Sequence, residues 1–241
     1  MTASSALVLG GAGGIGAAVS GRLAETHALA IGYLHHVDRA ESLAERLRAA
    51  GRTVALVKSD ATTDEGVVEA FDAAEALGPL RVVVHCVGGW DYPRVTELTQ
   101  ESIDATLALN LRSALLTLRE AARRIVDGGR VVLLSSAAAA VAPARQSTYA
   151  AAKAGLEAAA RVAAKEVAGR GVTVNVVRPG ATDTPLLHET TSPRAIEAMA
   201  GSNAMKRLGT PDDIAGAVLM LCAEESGWVT GTVIDATGGL R

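Results

Sequence analysis

Two side chains in the segment Tyr149-Ala-Ala-Ala-Lys153 could perform acid–base chemistry together. On a helix, residues four apart lie on the same face, one turn from each other. A free tyrosine has a pKa near ~10, and a nearby ammonium group lowers it. The spacing therefore predicts a tyrosine that exchanges a proton near neutral pH. The alternative is a chance pair on an exposed helix face, although the chain has only three tyrosines.

A glycine-rich turn near the start of the chain could bind phosphate. It reads Leu7-Val-Leu-Gly-Gly-Ala-Gly-Gly-Ile-Gly16 and joins an apolar run to a helical pattern. Glycine lets the backbone approach a pyrophosphate closely, and a helix N-terminus adds free N–H groups. Two dinucleotide-binding spacings overlap: GxGxxG at Gly11, Gly13 and Gly16, and GxxxGxG at Gly10, Gly14 and Gly16. The turn indicates a dinucleotide site, with a purely structural strand–helix junction as the alternative.

The end of the second apolar run bears on which dinucleotide binds. NAD sites of this kind carry an acidic residue about 20 positions after the glycines, on the ribose 2′-hydroxyl. Here the segment is Ile31-Gly-Tyr-Leu-His-His36, and the next carboxylate is Asp38. The missing acid favours NADP(H), with NAD(H) as the alternative, although no obvious arginine is present for the 2′-phosphate. His35 and His36 either contact that phosphate or face solvent.

Short apolar runs alternate with longer amphipathic or alanine-rich segments. The predicted strands are Ala6–Leu9, Ala28–Tyr33, Thr53–Lys58, Arg81–Cys86, Arg130–Leu134, Val172–Val177 and Thr232–Asp235. The predicted helices are Gly14–Thr26, Asp38–Ala50, Asp64–Leu77, Gln100–Asp127, Ser147–Gly169 and Pro211–Ala223. Continuous apolar runs are typical of strands buried on both faces of a parallel sheet. The order predicts one doubly wound α/β Rossmann domain over residues 1–241, with a seven-stranded parallel sheet and helices on both faces.

Composition and charge argue against several other classes of protein. The 241 residues are 49% hydrophobic and 20% charged, and the net charge of −3 comes without any Lys/Arg block. Neither nucleic acid nor a membrane is therefore expected as a partner. No segment has the ~20 uncharged apolar residues of a membrane span, and the two cysteines lie far apart, so a cytoplasmic location with reduced thiols is expected. The irregular stretch 182–209 is expected to be a substrate loop.

These motifs, in this order and spacing, resemble the short-chain dehydrogenase/reductase family over most of the chain, from about Ala6 to Gly239. The residues that match the family's motifs are Gly10, Gly14, Gly16, Asn110, Ser136, Tyr149, Lys153, Pro179-Gly180, Arg207-Leu-Gly-Thr-Pro-Asp-Asp-Ile214 and Val229-Thr-Gly231…Gly238-Gly239. Within the family, the chain is similar to bacterial 3-oxoacyl-carrier-protein reductases. The resemblance implies an enzyme that moves a hydride between a nicotinamide cofactor and a carbonyl or alcohol.

The resemblance also implies roles for individual residues. Tyr149 would exchange a proton with the substrate oxygen, and Lys153 would lower the pKa of Tyr149 and hold the nicotinamide ribose. Ser136, preferred over Ser135 by its spacing to Tyr149, would hydrogen-bond the substrate oxygen. Asn110 would position a water in a proton relay, or else only cap or kink its helix. The implied cofactor-binding residues are Gly10, Gly13, Gly14, Ile15, Gly16, Leu34, His35, Asp60, Ala61, Val87, Gly88, Tyr149, Lys153, Pro179, Gly180, Thr182 and Thr184.

Among these, Asp60 would bind the adenine edge, with a turn residue as the alternative. No metal is expected. The expected reaction is reduction of a ketone to a secondary alcohol with NADPH, on a fatty-acid, polyketide or secondary-metabolite carbonyl. The alternatives are an NAD-dependent alcohol dehydrogenase and a catalytically idle dinucleotide-binding regulator. Trp90 and Tyr92 either wall an apolar substrate or pack their loop against the sheet. A homotetramer or homodimer is expected by analogy with the family.

The chain departs from the family pattern at three places. Leu9 stands where the family usually has a threonine that braces the glycine turn. The family's Asn-Asn-Ala-Gly segment reads His85-Cys86-Val87-Gly88 here, so His85 needs another partner, and a structural role is expected for it. Gly13 replaces the basic residue that often marks NADP(H) enzymes, which weakens the preference for NADP(H).

Overall fold

The computed structural model describes residues 4–240. Its seven strands are β1 (Ser5–Leu9), β2 (Ala28–Tyr33), β3 (Val54–Lys58), β4 (Leu80–His85), β5 (Arg130–Leu134), β6 (Thr173–Pro179) and β7 (Val233–Ala236). All pair in parallel in one sheet, in the order β3-β2-β1-β4-β5-β6-β7. The order reverses between β1 and β4, and this reversal opens a crevice at the carboxyl ends of the strands. The predicted doubly wound parallel sheet is confirmed.

Helices connect the strands. They are α1 (Gly14–Leu23), α2 (Val37–Ala49), α3 (Asp64–Glu75), α4 (Gln100–Leu107), α5 (Ser113–Arg124), α6 (Ala138–Val141), α7 (Ser147–Val167), α8 (Pro185–Thr190), α9 (Pro193–Gly201) and α10 (Pro211–Cys222). The five inner strands bury both faces, as their unbroken apolar runs predicted, whereas the edge strands β3 and β7 are partly exposed. On β1, Leu7 and Leu9 pack with α3, α5 and α7, whereas Ala6 and Val8 pack with α1, α2 and α10. Helices therefore cover both faces of the sheet.

Two of the predicted segments differ from the structure. The helix predicted over Gln100–Asp127 is interrupted by a π-helical turn at Ala108–Arg112, which separates α4 from α5. The stretch 182–209, predicted to be the least regular with a short helical pattern near Ala195–Ala200, contains a helix there, α9, and a second short helix, α8, that was not predicted. Each begins with a proline at its first turn and is capped by the hydroxyl of Thr184 or Ser192. These caps satisfy N–H groups that have no partner inside a helix.

Candidate active site

A cavity of about 860 Å³ lies at the carboxyl ends of the strands, across the point where the strand order reverses. Every site residue predicted from the sequence lines this cavity, with the exception of Asn110. The glycine turn forms one end, and Tyr149 and Ser136 lie on the wall further along. The fold therefore brings together residues that are far apart along the chain.

Three glycines of the turn, Gly10, Gly14 and Gly16, occupy positions where a side chain would not fit or would strain the backbone. A Cβ on Gly16 would lie 2.1 Å from the carbonyl oxygen of Gly10, and one on Gly14 would lie 2.7 Å from the methyl group of Thr184. Gly10 itself has a φ of +72°, which side-chain-bearing residues rarely adopt. Bare backbone and the N-terminus of α1 thus face the cavity, which is the cradle that a dinucleotide pyrophosphate requires.

At the same end of the cavity as the glycine turn, the loops after β2 and β3 contribute Leu34, His35, Asp60 and Ala61 to the lining. The Asp60 carboxylate accepts hydrogen bonds from the backbone N–H of Thr62 at 2.9 Å and from its hydroxyl at 2.7 Å. It therefore acts as a turn residue, as the alternative interpretation held, while it also lines the cavity.

One lining residue at this end was missed by the sequence analysis. His36 adopts a φ of +58°, and α2 begins directly after it. Arg39, in the first turn of α2, lines the cavity, and its Nη2 atom lies 3.7 Å from Oε1 of Glu189 on α8. The sequence shows no obvious arginine for this end of the cavity, and the structure places Arg39 there. The signal that could have found it is a basic residue one turn after the strand end.

Tyr149 and Lys153 lie one turn apart on the buried face of α7, as their spacing predicted. Tyr149 is 7% exposed and Lys153 is 2% exposed. The Lys153 Nζ atom donates a hydrogen bond to the carbonyl oxygen of Leu134 at 3.0 Å and lies 5.9 Å from the centre of the Tyr149 ring. Burial lowers the pKa of Lys153 to about 8, because the charged form loses its hydration.

The acid strength of Tyr149 differs from the prediction. Burial raises the pKa of the phenol, the hydrogen-bonding side chain of Ser136 lowers it in part, and the neighbouring Tyr92 raises it. The predicted lowering of this pKa by Lys153 is not what the structure shows, because desolvation by burial is the largest influence on the phenol and raises its pKa. The Lys153 ammonium group donates to backbone carbonyls at the end of β5 and after β4. At neutral pH the phenol therefore holds its proton.

Ser135 and Ser136 follow β5 and point to different partners. The Ser136 hydroxyl accepts a hydrogen bond from the N–H of Ala138 at 3.2 Å and is the serine that interacts with Tyr149. The Ser135 hydroxyl donates to the carboxylate of Glu157 at 2.7 Å. The structure thus places Ser136 beside the phenol, in agreement with the spacing argument that preferred it.

Asn110 lies behind the cavity wall in the π-helical turn, and its side chain is fully buried. Its amide donates to the carbonyl oxygens of Thr106 at 3.0 Å and Gly89 at 2.9 Å, and its side-chain oxygen accepts from the N–H of Gly89 at 3.2 Å. A Cβ on Gly88 would lie 3.0 Å from that oxygen and 2.9 Å from Lys153 Nζ. Asn110 therefore shapes its helix and the loop after β4, and a water-relay role stays a prediction.

His85 finds new partners at the position where the family has asparagine. Its ring nitrogens lie 3.0 Å from the hydroxyl of Thr117 and 3.3 Å from that of Ser113, both on α5. Complete burial lowers the pKa of His85 to about 3, so the ring is neutral at physiological pH. This agrees with the structural role expected for it.

The loops around the mouth hold the remaining predicted residues. Pro179 and Gly180 end β6 and line the cavity together with Val87, Gly88 and Ile15. The hydroxyl of Thr182 donates to the carbonyl oxygen of Gly180 at 2.9 Å, and that of Thr184 accepts from the N–H of Leu187 at 3.3 Å. Both threonine hydroxyls thus also stabilise the backbone of the 182–209 stretch.

The two aromatic residues after β4 differ in their surroundings. The Trp90 ring lines the cavity with its centre 6.0 Å from that of Tyr149, tilted by 52°. Tyr92 also lines the cavity, and its hydroxyl hydrogen-bonds with that of Thr191 at 3.2 Å, which connects the loop after β4 to the 182–209 stretch. Both residues therefore line the cavity wall, and Tyr92 connects its loop to the 182–209 stretch; packing of the loop against the sheet stays a prediction.

Comparison with known proteins identifies the family. The family model described as enoyl-(acyl carrier protein) reductase matches residues 10–241. A short-chain type dehydrogenase/reductase from Picea abies is 34% identical over 97% of this chain and 91% of its own length. The chain belongs to the short-chain dehydrogenase/reductase family. As a member, it is an oxidoreductase that acts on a CH–OH or C=O group of a small molecule with a nicotinamide dinucleotide.

Two solved structures of short-chain dehydrogenases/reductases share the whole architecture. A short-chain dehydrogenase from Burkholderia cenocepacia J2315, solved in complex with NADP, is 34% identical with a TM-score of 0.92, over 99% of this chain and 98% of that one. The promiscuous reductase LugOII, which catalyses keto-reduction at C1 during lugdunomycin biosynthesis, is 32% identical with a TM-score of 0.91, over 99% of this chain and 97% of that one.

None of the helices within residues 4–240 combines the length and apolar character that crossing a membrane requires.

Proposed function

We propose that this short-chain dehydrogenase/reductase reduces a ketone to a secondary alcohol with NADPH, and that Tyr149 donates the proton. The observation that carries the proposal is a protonated phenol next to the Ser136 hydroxyl, on the wall of a cavity that ends in a bare glycine turn. When bound there, the nicotinamide supplies the hydride. The protein's own residues must then orient the carbonyl and provide the proton.

Tyr149 holds its proton near neutrality and can therefore act as the general acid that reduction requires. A general acid must carry its proton at the working pH, and burial keeps the phenol protonated near neutrality. Oxidation of an alcohol would instead need the phenolate as a base. Ser136 would donate a hydrogen bond to the carbonyl oxygen, where negative charge develops during reduction. Lys153, held on the carbonyl of Leu134, would bind the hydroxyls of the nicotinamide ribose.

Arg39 supports a preference for NADPH. The glycine turn and the loop after β2 lie at the same end of the cavity, where the adenosine half of a dinucleotide would rest. A 2′-phosphate at that position would meet the guanidinium of Arg39, which offers several donors in a planar fork. Asp60, the carboxylate that lines this end, is held by Thr62. The complex of the Burkholderia cenocepacia relative with NADP supports the same choice.

The substrate end of the cavity is suited to a neutral, apolar ketone. Beyond Tyr149 it is lined by Trp90, Val141, Leu186 and Met199. Among residues 4–240, the Lys, Arg, Asp and Glu side chains that line the cavity are Arg39, Asp60, Lys153 and Glu189. Apart from Lys153, none of these offers a cation near Tyr149, so a carboxylate or phosphate on the substrate would lack a partner. An apolar or aromatic ketone would pack against Trp90, and the keto-reduction by LugOII supports this substrate class.

The test is a panel of neutral aromatic ketones, aliphatic ketones and 3-oxoacyl thioesters, each with NADPH and with NADH. Loss of nicotinamide fluorescence measures the rate, and chromatography identifies the alcohol. We expect turnover of apolar ketones with NADPH to exceed turnover with NADH and turnover of thioesters. Preferred oxidation of alcohols with NAD would instead show an alcohol dehydrogenase. Tight dinucleotide binding without turnover of any carbonyl or alcohol would show a regulatory protein.

A further inference from the structure

A buried ion pair lies directly beneath the candidate active site. Glu157 is on α7, four residues after Lys153 and eight after Tyr149, and it is 5% exposed. Its carboxylate accepts two parallel hydrogen bonds from the guanidinium of Arg178, at 2.9 and 2.8 Å. The same carboxylate accepts the hydroxyl of Ser135 at 2.7 Å. Tyr149, Lys153 and Glu157 therefore form one stripe on the buried face of α7.

The pair connects three elements that carry the reacting groups. Ser135 precedes Ser136 at the end of β5, and Arg178 precedes Pro179 at the end of β6. Glu157 itself belongs to the helix that carries the phenol. The backbone at the end of β5 is tied to β6 by the hydrogen bonds from Ser135 N–H to Val177 and from Ala137 N–H to Pro179, both 2.8 Å. Two side-chain hydrogen bonds join this strand end to α7: Lys153 Nζ donates to the carbonyl oxygen of Leu134 at 3.0 Å, and the Ser135 hydroxyl donates to Glu157 at 2.7 Å. The second is the one that holds the residue next to Ser136.

The hydrogen bonds that Glu157 accepts from Arg178 and Ser135 are strong and directional. Two parallel N–H···O bonds fix a guanidinium relative to a carboxylate in a plane, and a hydroxyl bond to a charged oxygen is shorter and stronger than a neutral one. The Glu157 side chain is 7% exposed and that of Arg178 is 17% exposed, so water screens the pair little. Loss of Arg178 would leave the Glu157 carboxylate buried without its guanidinium, whereas loss of Glu157 would leave Arg178 paired with Asp235 at 2.8 Å. Either change would remove a contact that joins these strand and helix ends.

We propose that Glu157 is a positioning residue for the proton transfer, because it holds Ser135 and thereby fixes the Ser136 hydroxyl against the Tyr149 phenol. The inference rests on the proposed role of Tyr149 as proton donor. Glu157 acts through Ser135 and Arg178, and it does not line the cavity that the substrate would enter. Small displacements of a positioned group are costly, since a shift of ~1 Å can reduce a rate by about 100-fold.

Two variants separate positioning from folding. Glu157→Gln removes the charge and keeps the shape, whereas Ser135→Ala removes only the link to β5 and keeps the ion pair with Arg178. For both we expect kcat to fall about tenfold to 100-fold while the Kd for NADPH stays at its wild-type value. The kinetic isotope effect with NADPH deuterated at the transferred position should increase, because the chemical step becomes more rate-limiting.

The matched control is Glu120→Gln. Glu120 also has a side chain that is 7% exposed, and it pairs with Arg119, Arg123 and Arg124 on α5, away from the cavity. This variant should lower the free energy of unfolding without changing kcat or the isotope effect. Wild-type kcat and isotope effect in Ser135→Ala and in folded Glu157→Gln would overturn the proposal. If Glu157→Gln fails to fold, Ser135→Ala alone decides.

Hydrogen exchange on the protein without added ligands gives a second readout. In Glu157→Gln, the backbone at the end of β5 should exchange faster than in wild type, and in Glu120→Gln it should not. Unchanged exchange at the end of β5 would contradict the proposal, because the contact between Ser135 and Glu157 would then not stabilise the backbone there. A wild-type protein that reduces no carbonyl would refute the proposed function, and exchange at the end of β5 would still test the link.

Discussion

The replacement Arg39→Ala tests the cofactor preference at a single side chain. Arg39 lines the end of the cavity where the adenosine half of the dinucleotide would lie, and its guanidinium lies 3.7 Å from the Glu189 carboxylate. In the proposed complex the guanidinium binds the 2′-phosphate, a group that NADPH has and NADH lacks. The replacement should therefore weaken the binding of NADPH and leave the binding of NADH unchanged.

The size of the effect follows from the exposure of Arg39. Two unit charges ~4 Å apart attract by about 4 kcal/mol at an effective dielectric constant of ~20. The Arg39 side chain is 49% exposed, so solvent and salt screen much of this attraction. Glu189 also competes for the same guanidinium. A net contribution of about 1.5 kcal/mol remains, which corresponds to a roughly tenfold increase in the Kd for NADPH.

Titration of the fluorescence of bound nicotinamide gives both dissociation constants with purified protein. The matched control is Arg46→Ala, since Arg46 is an exposed arginine on the same helix that does not line the cavity. The control should change neither constant, and the tenfold effect of Arg39→Ala on NADPH should shrink at high salt. If Arg39→Ala weakened the binding of NADPH and NADH equally, or weakened the binding of neither, Arg39 would not bind the 2′-phosphate.

Three further predictions concern the scaffold of the site. Folding lowers the pKa of Lys153 from 10.5 to about 8, so between these pH values the unfolded chain still holds a proton that the folded protein has lost. The free energy of unfolding of wild type should therefore rise by roughly 3 kcal/mol between pH 8 and 10.5, relative to that of Lys153→Met. Urea denaturation measures both. Folding lowers the pKa of His85 from 6.5 to about 3, so on acidification the unfolded chain takes up a proton before the folded protein does. Between pH 6.5 and about 4.5 the free energy of unfolding of wild type should fall by roughly 3 kcal/mol relative to that of His85→Asn in the same assay. Parallel dependence of the two free energies on pH would contradict the neutral, buried state of His85. Gly16→Ala places a Cβ 2.1 Å from the Gly10 carbonyl oxygen. We expect it to destabilise the protein by roughly 1–3 kcal/mol and to abolish detectable dinucleotide binding. The control is Gly21→Ala, because a Cβ added at Gly21 would meet nothing within 4 Å.

The sheet could be predicted from the sequence because its strands are continuous apolar runs. Two predicted strands, Ala28–Tyr33 and Arg130–Leu134, match the observed ones, and the ends of the others differ by at most two residues. Ser136 was predicted from the resemblance to the family, whereas Tyr149 and Lys153 could be predicted to lie on one face because the pair has helical spacing. For such residues, a local pattern is sufficient to determine position.

Other features depend on contacts that no local pattern records. The π-helical turn at Asn110 interrupts a sequence with continuous helical character, because the amide of Asn110 bonds to Gly89 on a distant loop. Arg39 lines the cavity because α2 begins directly after His36, whose backbone is in the left-handed conformation. The raised pKa of Tyr149 depends on how deeply α7 packs, and spacing alone could not show this.

The central claim is that the Tyr149 phenol donates the proton to a carbonyl, and Tyr149→Phe tests it most directly. Phenylalanine keeps the ring beside Trp90 and removes only the hydroxyl. Tyr92→Phe is the control, since that hydroxyl binds Thr191 in the loop. The measurement is kcat/KM with NADPH for the best ketone of the panel. We predict a loss of about 10²–10⁴-fold for Tyr149→Phe with an unchanged Kd for NADPH. Wild-type kcat/KM in Tyr149→Phe would contradict the proposed proton transfer.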